Sequence, residues 1–290
     1  MRKLFATIAL ALLPVGAFAA DPPQRVTAPA AAFTNVPDFD AFGSVAIGYT
    51  GWEVREFLEH SLNVEARATF ASTLSGAFGF QADGMFEGSY YSSDEITNNT
   101  GSLAGHVFWR DSNKGLLGVI AQGNAKSGNF TSDRQYFLGV EAQYFIGNVT
   151  LYGQFAYQSL AINVYSVNAD ANGFALAGQV RYFTTPNFML ALRGEYSDLS
   201  FDGVAAGMDH IAWSLGGKAE YRFAASPISV FAEADYRRGA FKVAADSLWE
   251  TDKRFMIGAK WNLGSQTLFQ RDRSGASLDP IRWLYPAVTP

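Results

Sequence analysis

Acidic and basic side chains recur at every second position along much of this chain. In residues 228–239 (ISVFAEADYRRG), for example, Ser229, Glu233 and Asp235 alternate with apolar residues. Alternation of this kind places the polar side chains on one face of a β-strand. Such a face could pair charges, line an aqueous passage, or supply an acid and a base to a reaction. The charged candidates are Glu65, Asp83, Glu141, Glu195, Glu220, Glu233 and Asp235, and Arg67, Arg110, Arg181, Arg193, Lys218, Arg222, Arg237, Arg254 and Lys260.

Catalysis is the least supported of these three uses. A hydrolase acting at a lipid surface needs a nucleophile and a histidine oriented by a third polar group. His60 and His210 fall at the ends of predicted strands, and His106 lies on the polar face, where it is expected to be a hydrogen-bond partner. The chain has no Cys and no metal-ligand spacing. The sequence therefore predicts no catalytic residue, no metal site and no cofactor.

The elements that carry these side chains are predicted to be twelve antiparallel strands. Short turns alternate along the chain with longer polar connections, a pattern typical of up-and-down barrels in outer membranes. The predicted strands have 11 to 14 residues, long enough to cross an apolar band of about 25 Å when tilted. The predicted strands are 43–54, 61–71, 76–88, 100–110, 115–125, 134–145, 149–159, 172–183, 188–200, 210–223, 228–239 and 252–263.

Aromatic pairs indicate which face of each strand points to the centre of the molecule. Several strands carry two rings eight residues apart, on one face and near its two ends, with apolar residues between them. Aromatic side chains prefer the two interfaces of a bilayer, so this face is predicted to meet lipid and the charged face to line the interior. The pairs are Tyr136 and Tyr144, Phe174 and Tyr182, Phe188 and Tyr196, and Trp213 and Tyr221.

The N-terminus has the features of a secretory signal peptide. Arg2 and Lys3 precede the apolar run 4–13, and Ala17-Phe18-Ala19 matches a cleavage site. The predicted domains are a signal peptide at 1–19, a periplasmic leader at 20–41, a transmembrane barrel at 42–264 and a periplasmic extension at 265–290. The extension is expected either to be disordered or to be tucked under the barrel through Trp283, Leu284 and Tyr285.

Composition excludes several other classes of protein. Removal of Arg2 and Lys3 with the signal peptide leaves 20 basic side chains against 27 acidic ones, so no nucleic-acid partner is indicated. The absence of Cys excludes a fold held by disulfides. After the signal peptide no apolar run reaches 18 residues, so no transmembrane helix is predicted.

Two stretches resemble a known group of proteins. HVFWRDSNKGLLGV (106–119) and GVEAQYFIGNVTLYGQFAYQ (139–158) are similar to porin-like outer-membrane β-barrels of Gram-negative alphaproteobacteria, over roughly 42–264. The resemblance implies the fold and an outer-membrane location, and it carries over no binding residue. The partners expected from it are outer-membrane lipid and lipopolysaccharide, and the barrel-assembly machinery during insertion. The oligomeric state is left open.

Two functions remain for the interior. The charged residues could line a narrow passive channel for small polar or anionic solutes, or they could pair with one another and close a structural or adhesive barrel. Twelve strands lie between barrels filled by side chains and barrels with a wide pore, so the strand number does not decide. An even number of strands with short turns on the side of the termini predicts that both termini are periplasmic.

Three further details are predicted for the interior and the last strand. Counting across the turn at 224–227 places Lys218 near Glu233 and Glu220 near Phe231. From this register, Lys218, Arg222, Glu233 and Asp235 are predicted to form a charge ladder. Five rings break the alternation and could form an apolar constriction, or simply pack under the turns. The last strand resembles the signal read by the assembly machinery, at Gly258, Trp261 and Leu263. The five rings are Phe108, Phe145, Tyr152, Phe183 and Phe231.

Overall fold

A computed structural model of the chain describes residues 39–55, 57–91, 97–128, 131–164, 167–205, 207–243 and 246–282. Twelve antiparallel strands form one closed barrel, in which each strand pairs with its neighbours in the sequence and β1 closes on β12. The strands are β1 Phe39–Val54, β2 Phe57–Ser75, β3 Phe78–Tyr91, β4 Thr97–Asp111, β5 Gly115–Ser127, β6 Thr131–Ile146, β7 Val149–Val164, β8 Val167–Thr185, β9 Phe188–Phe201, β10 Met208–Arg222, β11 Ile228–Val243 and β12 Asp246–Leu263.

All twelve predicted strands are present, and the closed all-β barrel is confirmed. We call the end where β1 begins and β12 ends the terminal end, and the opposite end the distal end. Strand pairing continues at the distal end into segments that the sequence predicted to be long connections. β7, for example, ends at Val164 and β8 begins at Val167, although 160–171 was predicted to be a loop. That prediction was wrong because the backbone ladder does not require the apolar alternation that marks the membrane-spanning part.

The first strand also begins earlier than predicted. Phe39 pairs with Ser72, and Ala41 pairs with both Phe70 and Leu263, so residues 39–41 belong to the barrel and not to the leader. The predicted signal peptide and the leader up to residue 38 lie outside the described residues. In the described part of the chain, no helix is long and apolar enough to cross a bilayer.

The distribution of buried residues is the reverse of that in a water-soluble barrel. Leu103 and Leu138 are 73% and 67% exposed, whereas Gln81 and Gln158 are 1% exposed. Ile228 and Val230 of the ISVFAEADY stretch face outward, and Ser229 between them is buried. The predicted aromatic pairs lie on the same outer surface. An apolar exterior with a polar interior is the arrangement expected where lipid surrounds the barrel.

Tight turns join the strands at the terminal end. Gly76 and Gly147 have φ angles of +57° and +55°, in the left-handed region that glycine enters without a steric penalty. At these two positions the chain reverses within two residues.

The chain after β12 turns back into the barrel. A short helix, α1 (Leu268–Ser274), is capped at its N-terminus by Thr267, whose side-chain oxygen accepts a hydrogen bond from the Gln270 N–H, and at its C-terminus by Gly275. Residues 275–282 then run along the interior without regular structure, and Leu278 and Ile281 are buried. We call residues 265–282 the tail.

The position of the tail differs from the predicted extension beneath the barrel. Its residues form hydrogen bonds or ion pairs with at least one side chain of each of the twelve strands, which is possible only from inside. The physical reason is that its charged and polar groups find complementary partners on the interior wall. Trp283, Leu284 and Tyr285, which were predicted to make the contact, lie outside the described residues.

Candidate functional site

The interior of the barrel is the candidate site, and its terminal half is organised around Glu220. This carboxylate on β10 accepts hydrogen bonds from Ser229 at 3.0 Å, from Lys260 Nζ at 2.9 Å and from Arg271 of the tail at 2.8 Å. Glu220 is 1% exposed. Charged groups are costly to bury unless they are paired and hydrogen-bonded. The buried Glu220 carboxylate therefore holds Arg271 in one position, where both charges are paired.

A second charged contact holds Asp279 of the tail. Arg181 Nη2 lies 2.8 Å from one carboxylate oxygen of Asp279, and Arg67 Nη1 lies 3.2 Å from the other. Arg181 also binds Asp272 at 2.8 Å. Burial raises the pKa of Asp279, but the guanidinium groups of Arg181 and Arg67 outweigh it and hold that pKa well below its usual range.

A third contact, of opposite polarity, holds Arg282. Its guanidinium binds Asp235 at 2.6 Å and also binds Glu233 on the same strand. Lys218 pairs in register with Glu233, and its Nζ lies 3.9 Å from that carboxylate. The predicted register across the turn at 224–227 is therefore confirmed.

Arg222 does not join the predicted charge ladder with Glu233 and Asp235. It lies at the end of β10 and donates to the carbonyl oxygens of Ser226 in the turn and Ser265 at the start of the tail. Its closeness to the turn explains the difference, because these carbonyls are within reach and the acidic pair is several residues further up β11.

Neutral side chains of the wall bind the tail backbone. Gln81 donates to the carbonyl oxygen of Leu278 at 2.7 Å and accepts from the Leu278 N–H at 3.1 Å. Gln122 makes the same two bonds with Ile281, both at 2.8 Å. Each carboxamide thus satisfies both polar groups of one residue, as a neighbouring strand would.

His106 lies on the interior face, as predicted, and is 1% exposed. Its Nδ1 is 2.8 Å from Glu141, and its Nε2 is 3.4 Å from Asp83. Glu141 also accepts a hydrogen bond from the hydroxyl of Tyr152. This network connects four strands of the wall beneath the tail.

The five rings that break the alternation all face inward and are at most 9% exposed. Most of them contact the tail: Phe183 packs edge-on against Phe269, Phe108 and Tyr152 lie in one cluster with Leu278, and Phe145 lies beneath the guanidinium of Arg273. Phe231 instead lies beside Lys218 and Lys260. The rings at the terminal end therefore form part of the surface against which the tail packs.

A cavity of ≈ 320 Å³ occupies the lumen beside the tail. Trp52 and Tyr91 bound it towards the distal end, and Phe183 and Leu268 bound it towards the terminal end. Its wall carries nearly balanced charges. The basic side chains are Arg67, Lys126, Arg181, Arg193, Lys218, Arg237, Arg254, Lys260, Arg271 and Arg282. The acidic ones are Glu65, Glu87, Glu195, Glu220, Glu233, Asp235, Asp252, Asp272 and Asp279.

The distal half of this cavity has its own ion pairs. Arg254 lies between Glu65, at 2.9 Å, and Glu87, while Arg237 pairs with Asp252. Their side chains are between 14% and 25% exposed, in contrast to the fully buried Glu220. Among the described residues, no group of three or more His, Cys, Asp or Glu side chains could hold a metal ion.

Most of the predicted interior residues line the cavity, with four exceptions. Arg110 donates to the Gly275 carbonyl, Asp83 and Glu141 belong to the His106 network, and Arg222 binds the start of the tail. Sequence reasoning missed Glu87 and Asp252, although each lies two or four residues from a predicted interior charge on the same strand. It also missed the backbone-binding Gln81 and Gln122, because an uncharged side chain at an interior position carries no distinguishing signal.

The predicted assembly signal lies on the last strand of the barrel. Trp261 and Leu263 face outward and are about half exposed, while Gly258 faces inward against the ring of Phe231. A side chain at position 258 would meet that ring and the Val45 carbonyl. Recognition of these residues by the assembly machinery stays a prediction.

Comparison with known proteins gives one family and a set of similar barrels. Residues 56–269 match the family model described as putative beta-barrel porin-2, OmpL-like. No curated protein sequence matches the chain. The COG4313 outer membrane channel from Pseudomonas putida F1 is 13% identical, with a TM-score of 0.54, covering 81% of this chain and 99% of that one.

Two other solved barrels are more distant. The translocator domain of the autotransporter NalP from Neisseria meningitidis is 11% identical, with a TM-score of 0.48, covering 79% of this chain and 90% of that one. The KdgM porin is 11% identical, with a TM-score of 0.40, covering 75% and 99%. The resemblance to porin-like barrels is confirmed, and the alphaproteobacterial attribution stays a prediction.

Proposed function

This chain belongs to the OmpL-like porin-2 family of β-barrels, and on that premise we propose that it is a narrow passive-diffusion channel for small polar solutes. Porins are outer-membrane barrels, so the family also gives the location. The observation that carries the proposal is the cavity of ≈ 320 Å³ inside the barrel, whose wall is charged and polar while the apolar residues face outward. A barrel closed by an apolar core would not need charged and polar side chains on its inner wall.

The charge balance of the wall bears on the kind of solute. The excess of basic residues found in the sequence suggests anionic solutes, but Glu87 and Asp252 bring the acidic and basic side chains of the cavity close to equality. The tail adds two acids and two bases and leaves this balance unchanged. Strong selection by charge needs a ring of one sign. The proposal is therefore for small polar solutes without a strong preference for anions.

The tail defines how narrow this channel is. Its helix and the following residues fill the interior at the terminal end, where Leu268, Arg271 and Asp272 are buried. We propose that this end faces the periplasm together with both chain termini, so that the tail restricts passage from the periplasmic side. A tag inserted in the connection from Tyr91 to Thr97, the distal ends of β3 and β4, should be labelled on intact cells. Labelling only after permeabilisation would contradict this orientation.

Conductance in a planar lipid bilayer tests the channel. The variant Asp279→Arg with Arg282→Asp exchanges two charges of the tail and turns both attractive contacts with the wall into repulsive ones. We expect a small conductance for the wild type and a conductance several times larger for this variant. The matched control, Asp111→Lys with Lys114→Asp, exchanges an ion pair of equal spacing at a turn outside the lumen and should behave like the wild type.

A closed structural barrel is the second candidate. The observation that favours it is the dense pairing of charges in the terminal half, where Glu220 and Asp279 each have at least two basic partners. If this candidate is correct, neither the wild type nor the charge-exchanged variant will conduct, although both will migrate as folded barrels on unheated gels.

A further inference from the structure

We propose that the wall around residues 275–282 is a peptide-binding site, with the tail as its resident ligand. Resting on the proposed channel function, the inference also names a class of solute: short extended peptides in which an acidic residue precedes a basic one by three positions. Asp279 and Arg282 are that pair in the resident segment Gly275–Arg282, with the sequence GASLDPIR.

The first observation is that the wall satisfies the backbone of this segment almost residue by residue. The carbonyl oxygens of five of its residues accept hydrogen bonds from Arg110, Gln81, Gln154, Arg193 and Gln122, in that order along the segment. The Ser277 carbonyl accepts from both Gln143 and Arg181. Backbone contacts of this kind do not depend on the side chains of the bound segment, so they suit a peptide of varied sequence.

The second observation is the geometry of the two glutamines. Gln81 and Gln122 each donate to and accept from a single tail residue, at positions three apart. A carboxamide carries the same donor and acceptor as a peptide group, so each glutamine replaces one rung of a β-ladder. Recognition by a strand edge works in this way in other peptide-binding proteins, and here side chains of the wall supply the edge.

The third observation is that the side chains of the segment enter separate subsites. Leu278 packs against Phe108, Leu116 and Tyr152. Ile281 packs against Ile120, Phe137 and two small residues of the neighbouring strands. The combination of backbone contacts and apolar subsites at the same two residues gives both affinity and a preference for peptides with aliphatic residues at these positions.

The charged residues at the two subsites of opposite sign set the direction of the peptide. Asp279 meets Arg67 and Arg181, whereas Arg282 meets Glu233 and Asp235. A peptide bound in the reverse direction would place like charges together. This complementarity is built by residues of three different strands, β2, β8 and β11.

The barrel wall does not depend on the segment for its own closure. The strand pairing closes around all twelve strands, and the tail adds no strand to it. The contacts of the segment with the wall involve wall side chains only, which a second peptide could use once the segment leaves. Because the tail is covalently tethered, it competes at an effective concentration in the millimolar range, and wild-type protein should therefore bind added peptide weakly.

The test measures binding of a fluorescent, end-blocked GASLDPIR peptide to the purified full-length chain in detergent by fluorescence anisotropy. We expect the charge-exchanged variant, Asp279→Arg with Arg282→Asp, to bind the peptide at least tenfold more tightly than the wild type, since its own tail is repelled. Adding Gln81→Ala and Gln122→Ala to that variant should weaken binding at least tenfold. A peptide with its two charges exchanged, GASLRPID, should also bind at least tenfold more weakly.

Conductance of the same samples separates this inference from the proposed function. Peptide that binds and reduces the conductance of the variant supports both, and peptide that binds a non-conducting barrel supports the site and overturns the channel. A variant that conducts but neither binds nor is blocked by the peptide overturns the site and leaves the channel standing. A variant that neither conducts nor binds the peptide counts against the site and the channel. If Leu278→Glu, a second way of displacing the tail, also neither conducts nor binds the peptide, the site and the channel are both overturned.

Discussion

The two halves of the lumen have the same strands and the same alternation, but their interiors differ. In the terminal half the wall packs against the tail, and Glu220 and Arg181 are almost fully buried. In the distal half the charges around Arg254 and Arg237 pair across strands and face the cavity. One half has the construction of a protein core and the other that of an aqueous vestibule.

This difference shows that a polar interior face does not by itself specify a pore. Alternation determines which side chains point inward, and the number of strands determines how much space they enclose. What fills that space depends on whether another segment can satisfy the wall. The following changes break or sharpen the contrast between the halves, from the largest expected effect to the smallest.

Removal of the tail should abolish the difference between the two halves of the lumen without preventing insertion of the barrel into the membrane. A chain stopped after Leu263 keeps every rung of the barrel, so we expect it to insert and to remain heat-modifiable on gels, with a terminal half that has become aqueous. It should unfold at a lower urea concentration, because Glu220 and Arg181 lose tail partners. Accumulation of this truncated chain in the periplasm would contradict an internal assembly signal.

Substitution of the predicted assembly signal should have the opposite result. Trp261→Ala with Leu263→Ala should prevent insertion of the barrel altogether.

Matched substitutions of one acid in each half should differ in their cost. Glu220→Gln leaves Lys260 and Arg271 facing each other in a buried site, and we expect a loss of about 3–5 kcal/mol in the free energy of unfolding. Glu87→Gln leaves Arg254 paired with Glu65 beside the cavity, and we expect a loss below about 1 kcal/mol. Urea titration of both variants in the same detergent gives the comparison, and equal losses would show that the two halves are equally buried.

Acid should loosen the tail through Asp279. The pKa of this group is depressed in the docked tail, so its contribution to docking is complete above the usual aspartate pKa of about 4 and is lost as the pH falls through the lower, docked value. Conductance should therefore be constant from pH 7 to about pH 5 and should rise at lower pH. The Asp279→Asn variant should conduct more than the wild type at pH 7 and should show a smaller rise.

A charge reversal in the distal half should alter ion selectivity with little effect on folding. Arg254→Glu places three carboxylates together beside the cavity, so the ratio of cation to anion permeability should increase severalfold in reversal-potential measurements. The urea midpoint should stay close to that of the wild type. Unchanged selectivity in a conducting variant would remove Arg254 from the path of the ions.

The strands could be predicted because period-two alternation is a local signal repeated in each of them. The short turn at 224–227 even fixed the register of Lys218 and Glu233, since few residues leave little freedom in the pairing. The distal limits of the strands were predicted less well, because beyond the lipid the outward residues need not be apolar while the backbone continues to pair.

The position of the tail could not be predicted for a different reason. Residues 265–282 have no periodicity, and their partners come from twelve strands that are far apart in the sequence. Complementarity of this kind exists only after the barrel has closed. The sequence did show a cluster of charges at Arg271, Asp272 and Arg273, but it did not show which acids and bases of the wall would be left for them.

Asp40 at the start of β1 has a consequence for the order of folding. One of its carboxylate oxygens accepts from the Ser265 N–H and the other from the Ala276 N–H, across 225 and 236 residues of chain. These bonds join the first strand to the segment that follows the last, so they can form only when β1 and β12 have met. Contacts of such long sequence separation form late. The tail therefore docks only after the barrel has closed, because a sheet that is still open does not bring its binding partners together.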